Sequence, residues 1–171
     1  MKASEMTTAP LDAAALRSRS EALREQAVAL LDRGEFSASL ALYDDALAAA
    51  TATGDGAFVD WIFSCRAAAA AEAGPAESEL LELKRILLRG RESQTAFRAA
   101  YTSAHIYDLK RDFRKAAFYA RLASQHAAEI ADPLLLAGAE NMQGTVLAAD
   151  SRFEEAAACY RRALDISAPP V

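Results

Sequence analysis

The chain is poor in everything that builds a β-sheet. Valine and isoleucine are rare, and no stretch alternates apolar with polar residues as a half-buried strand would. Aromatics are only 8% of a chain that is 53% hydrophobic, and much of the remainder is alanine. Alanine buries little area, yet it is the best helix former and lets helices approach closely. The expected fold class is all-α. Cysteine is nearly absent. Cys65 and Cys159 are far apart, match no metal-ligand spacing and make no disulfide framework, so a reducing cytoplasmic setting is the simpler expectation. Positive charge is also lacking: a net charge of −5 argues against a nucleic-acid partner. The dense basic patch at Lys110, Arg111, Arg114 and Lys115 reads as a polar corner between helices rather than a phosphate site. Long apolar runs are missing too. Residues 1–10 have no signal-peptide core, and the apolar stretch 133–149 is interrupted by Glu140, Asn141 and Gln143, so no membrane insertion is expected. A length of 171 residues allows one domain with a real core.

Glycine and proline, few as they are, divide the chain into helical lengths. Helices are expected over about 12–32, 37–51, 57–73, 77–89, 93–110, 114–130, 133–149 and 152–167. Pro10 suits a first helical turn, Ser93 is a candidate N-cap, and Asp132-Pro133 gives a cap followed by proline at the first helical position. Short links between them imply antiparallel neighbours. Residues 1–10 are expected to be a disordered lead-in and 169–171 a tail, flanking a single domain over 11–168.

Four segments superimpose without gaps: LDRGEFSASLALYDDAL (31–47), AEAGPAESELLELKRIL (71–87), DLKRDFRKAAFYARLAS (108–124) and AADSRFEEAAACYRRAL (148–164). Their sixth residues, Phe36, Ala76, Phe113 and Phe153, are separated by 40, 37 and 40 residues. Nine positions before each anchor stands a small residue: Ala27, Ala67, Ala104 and Gly144. Three positions after it come Ser39, Glu79, Ala116 and Ala156, and ten after it Ala46, Ile86, Ala123 and Ala163. A small residue in the first helix of a pair lets the second pack against it. The aromatic after the turn is expected to fill the wedge between them, and the later alanines let the next pair stack. A plain bundle could match some columns by alanine richness alone, but the glycines and prolines fall between the matches and not inside them.

These columns resemble the tetratricopeptide repeat. The match is good in the first segment (Ala27, Gly34, Phe36, Tyr43, Ala46) and best in the fourth (Gly144, Phe153, Ala156, Tyr160, Ala163, Leu164). In the third, Ala120 replaces the second aromatic; in the second, Ala76, Glu79 and Ile86 depart from the pattern. The long spacing is similar to the longer-helix variants of kinesin light chains and some bacterial regulators. The resemblance implies a right-handed α-solenoid of four antiparallel helix pairs, over about 12–53, 57–90, 93–131 and 133–167. It also implies a concave groove lined by the first helix of each pair.

On that groove, helical periodicity around each small residue places Glu21, Arg24, Val28 and Leu31, then Trp61 and Ser64. The third repeat adds Arg98, Tyr101, His105 and Asp108, and the fourth Gly138, Asn141 and Thr145. Aromatics would contribute area while arginine and asparagine meet main-chain or carboxylate oxygens, which suits a peptide or helical segment of another protein. Trp61 fits a packed position as well as a ligand contact, and Arg24 and Arg98 could pair with neighbouring acids. Family members that clamp a terminal carboxylate use Lys, Asn, Asn, Lys and Arg. Here the corresponding residues are Arg24, Val28, Cys65, Arg98 and Thr102, so that particular peptide is not the expected partner.

No catalytic constellation is legible and no cofactor or metal is expected. The glycines of TGDG (53–56) lack the Lys-Ser/Thr of a phosphate loop, and His105 and His126 do not pair in the pattern. The expected function is an adaptor or scaffold. A small bacterial secretion-type chaperone is one alternative. Another is a homo-oligomer assembling through the C-terminal end, where Phe153, Ala157, Tyr160 and Leu164 lack a polar capping helix.

Overall fold

The computed structural model describes residues 12–90 and 92–167. Pro10 and the expected lead-in and tail lie outside these residues. Eight helices form among the described residues: α1 (Ala13–Asp32), α2 (Phe36–Ala52), α3 (Gly56–Ala73), α4 (Glu77–Arg89), α5 (Ser93–Leu109), α6 (Phe113–Ile130), α7 (Pro133–Ala149) and α8 (Phe153–Ser167). None of the described helices is long and apolar enough to cross a membrane.

Aspartate starts half of these helices. Asp12, Asp55, Asp112 and Asp132 each accept a hydrogen bond from a backbone N–H of the first turn that follows, satisfying donors that the helix itself leaves open. Ser93 is not the cap of α5. Glu92 occupies that position and makes no side-chain cap bond; Ser93 is the first helical residue, and its hydroxyl donates to Glu129 at 3.1 Å.

The turns inside the pairs repeat as the sequence columns do. Two residues before each phenylalanine anchor the backbone is left-handed: φ is 76° at Gly34, 58° at Arg111 and 62° at Ser151. In all three the next residue donates back across the helix end, Glu35 to Leu30, Asp112 to Tyr107 and Arg152 to Leu147, at 2.8–2.9 Å. Gly74 breaks the series, with an extended φ of 168°. The following Pro75 is the cause, since a proline excludes helical conformations from the residue before it.

Odd helices touch in series, α1 to α3 to α5 to α7, while no two even helices touch among the described residues. Each even helix covers its partner closely in the first, third and fourth pairs, but α4 leans on α5 more than on α3. Leu83 and Ile86 of α4 pack with Ala99 and Ile106 of α5 and with Ala67 of α3 in one buried cluster. Charge pairs tie α4 back to α3. Arg89 grips Asp60 through two hydrogen bonds, 2.7 and 3.1 Å, and Arg66 reaches Glu79 at 3.3 Å.

The small-residue column is buried throughout: Ala27, Ala67, Ala104 and Gly144 are all enclosed. The aromatic column is not. Phe36 and Phe113 are half-buried, and Phe153 is 64% exposed, so the wedge-filling expected of all three fails in the last pair. There no further pair follows among the described residues to close over the ring.

Gly144 shows how tight the contact is. A Cβ there would lie 2.6 Å from the Tyr160 ring. Gly144→Ala should therefore destabilise the chain by about 1 kcal/mol despite alanine's better helix propensity, whereas in a Tyr160→Ala background the same change should stabilise it. Urea titrations of the four chains measure that change of sign. Ser151 carries a side chain in a left-handed turn, so Ser151→Gly should raise stability by about 0.5–1 kcal/mol in the same assay.

Candidate functional site

Two hydroxyls set the register of the face that the odd helices share. Thr95 of α5 donates to the carbonyl of Ala57 at 3.3 Å, and Thr102 donates to that of Ser64 at 3.0 Å. The threonines lie two turns apart, as do their acceptors. This lock brings Arg98 and Tyr101 of α5 level with Trp61 of α3.

Around that level the guanidinium groups lie against rings. Arg24 sits over Trp61 with 5.1 Å to the ring centroid, and Arg98 over Tyr101 at 6.0 Å. Trp61 in turn stacks on Phe58, and Phe97 flanks Tyr101. Both arginines are half-buried, and the Nε of each is enclosed with no hydrogen-bond partner. The acids around them do not neutralise them. Arg98 has no ion pair among the described residues, and Arg24 reaches only Glu25 at 3.5 Å, a carboxylate on its own helix that is 73% exposed. The contrast is Arg66, equally enclosed, which contacts Asp44 and Glu79. Removing a cation from water without a counter-ion is costly, and stacking on a ring offsets only part of it, on the order of 0.5–2 kcal/mol.

Tyr43 and Cys65, both buried, belong to the cluster on which Trp61 packs. Burial pushes the Tyr43 hydroxyl from its ordinary 10.0 up to about 12, with nearby Cys65 acting in the same direction and Arg24 and Arg98 opposing it. Burial likewise raises the Cys65 thiol against the pull of the same two arginines.

The other residues expected on this face differ in what they do. Val28, Leu31 and Trp61 are half-buried and pack on the Ala27, Tyr43, Cys65 and Ala69 cluster, so each serves the core as well as the surface. Ser64 is fully buried, and its hydroxyl donates to the Asp60 carbonyl at 2.7 Å, which removes it from any ligand's reach. Its offset from Ala67 falls where α5 covers α3. His105 contacts Glu72 at 2.7 Å, and Asp108 holds one buried oxygen, Oδ1, without a partner. Asn141 and Thr145 are exposed, with the threonine hydroxyl donating to the Asn141 carbonyl. Glu21 pairs with Arg17 at 3.4 Å.

Sequence reasoning missed Glu72, Tyr43 and Leu134. Glu72 lies 33 residues from His105, and only the stacking of α3 on α5 joins them. Tyr43 was legible as a repeat column but not as part of the cluster on which Trp61 packs. Leu134, 77% exposed beside Arg98 and Tyr101, sits one turn before Gly138, a periodicity that would have found it.

Tyr43 gives a pH dependence with a definite sign. Its folded pKa of about 12 lies above the ordinary 10.0, so the unfolded chain releases this proton first. The contribution is full below pH 10 and is lost as pH rises toward 12. Alkaline unfolding followed by circular dichroism should show a loss of up to about 2–3 kcal/mol across that window, and Tyr43→Phe should flatten it.

No protein-family model matches the chain, and no curated protein matches it either.

Proposed function

We propose that the chain is a non-catalytic interaction module, a tetratricopeptide-like α-solenoid, that holds an acidic segment of a partner protein against a concave face made by α1, α3, α5 and α7. The observation that carries this reading is the pair Arg24 and Arg98, half-buried on aromatic rings and without an effective carboxylate partner among the described residues. A carboxylate arriving at their outer nitrogens forms charge-assisted hydrogen bonds in a partly desolvated place, where such bonds are strongest. Trp61 and Tyr101 add rigid area beside them, the combination of aromatic and arginine that concentrates binding energy in interfaces. The repeated left-handed turns at Gly34, Arg111 and Ser151 support the four-pair solenoid.

The chain has a single tryptophan, and it lies under Arg24, so binding has a built-in reporter. Acidic dodecamer peptides should change Trp61 fluorescence while neutral and basic ones do not. Arg24→Gln and Arg98→Gln should each weaken binding roughly tenfold, about 1.4 kcal/mol, and added salt should weaken it further. Affinity for acidic peptides that is unchanged in the double variant would overturn the reading.

Self-association through the last pair is a second reading, favoured by the exposure of Phe153 and Leu164 on α8. Light scattering over a concentration series separates the two, since a second copy would raise the mass without any peptide present.

A further inference from the structure

Two hollows adjoin on the surface formed by α5, α7 and α8. One, of about 180 Å³, lies between Arg98 and Tyr101 of α5 and Leu134 of α7. The other, of about 470 Å³, runs between α7 and the Tyr160 and Leu164 side chains of α8. Gly138 belongs to both.

Gly138 has no role inside the chain that would explain it. It stands in the interior of α7, where glycine is unfavourable relative to alanine. A Cβ built on it would meet nothing within 4 Å, in contrast to Gly144 further along the helix, which Tyr160 covers. Its effect is on the outer surface: with no side chain at this position, the floor continues unbroken from one hollow to the next. Leu134 and Leu164 border this floor, 77% and 70% exposed, and neither is covered by a helix among the described residues. At the α5 end the floor meets Arg98, the half-buried cation that has no ion pair among the described residues.

We infer that the two hollows are one track, and that it takes an extended peptide segment with a carboxylate at one end and large apolar side chains along the rest. The carboxylate seats on Arg98, one apolar side chain lies over Gly138 between Tyr101 and Leu134, and a second reaches Tyr160 and Leu164. Adjacent helices pack 8–10 Å apart, so the track from α5 across α7 to α8 is roughly 20 Å long, the span of about six extended residues. The acid and the far apolar residue are therefore about six positions apart, with another apolar residue midway. The charge of Arg98 sets which end is which. This rests on the acidic-segment reading above and adds to it a direction, a length and a pattern.

Panning phage-displayed random dodecamers on the full chain tests it. Selected sequences should carry Asp or Glu with Leu, Phe, Met or Trp about three and six positions away. Synthetic copies should lose at least tenfold in affinity for Gly138→Gln, which fills the track and should melt no lower than the unaltered chain. Leu134→Asp, a change at an exposed site, should weaken them similarly, as should Arg98→Gln. Peptides that lose affinity with Arg24→Gln and Arg98→Gln but bind Gly138→Gln and Leu134→Asp unchanged would overturn the track while leaving the acidic-segment reading intact. Peptides indifferent to both arginines, or no enrichment at all, would overturn both. Concentration-dependent self-association that Gly138→Gln abolishes would assign the track to a second copy and overturn the inference.

Discussion

Ser39 donates to the carbonyl of Ala27 at 2.7 Å, across a contact between α1 and α2 where both side chains are too small to hold the backbones apart. The same contact recurs down the chain. Ala67 and Ala104 are fully buried at their equivalent positions, and Gly144 admits the Tyr160 ring so closely that a single added carbon would not fit. A core made this way is dense but thin. Each alanine removes little apolar area from water, so no single pair can bury enough to stand alone. Stability comes from adding pairs in series, and the shared layer of odd helices is the consequence. The binding face proposed above lies on that layer.

In the second pair Ala67 keeps its burial, but the small residue that should face it from the second helix is replaced by Glu79. Pro75 forces Gly74 into an extended backbone, so α4 leaves the turn without the left-handed geometry used by the other three pairs. It then settles on α5, where Leu83 and Ile86 find apolar partners. Glu79, standing where the other repeats have a small residue, is accommodated by Arg66, and Arg89 bridges to Asp60. Ion pairs depend on orientation more than buried alanines do, so they fix where α4 lies even where its packing on α3 is slight. The departures at Ala76, Glu79 and Ile86 are thus an alternative way of attaching a helix, and the α3–α5 contact that levels Trp61 with Arg98 is kept.

Helix bounds were legible because they depend on local chemistry: glycine, proline and aspartate act on the few residues around them. The pairing of α1 with α2, α5 with α6 and α7 with α8 was legible from the columns, because small residues must recur wherever backbones approach. What failed was whatever depends on a third element. Ser93 looks like a cap until Glu129 of α6 is seen to take its hydroxyl. Ser64 looks like a groove residue until α5 covers it. Phe153 matches the aromatic column yet stays exposed, since matching a column does not supply the neighbour that buries it. The left-handed turns at Arg111 and Ser151 were hidden for another reason. Neither residue prefers that conformation, and only their equivalence to Gly34 reveals it.

The most informative feature of the face could not be read from sequence, because it is a spatial absence. Other arginines of this chain have acids within reach: Arg66 meets Asp44 and Glu79 from neighbouring helices, and Arg89 meets Asp60 on α3 and Glu82 on its own helix. Arg98 has none among the described residues, although acids are abundant in a chain of net charge −5. An acid on the chain itself would compete with any partner at a high effective concentration, since folding already holds it within reach. Leaving the guanidinium on a tyrosine ring avoids that competition. The ring supports the cation through its π face, a weaker interaction than a carboxylate and one that does not occupy the outer nitrogens. An incoming carboxylate then displaces only water and keeps the stacking. This is the arrangement a site needs if it is to be stable when empty and still gain from being filled.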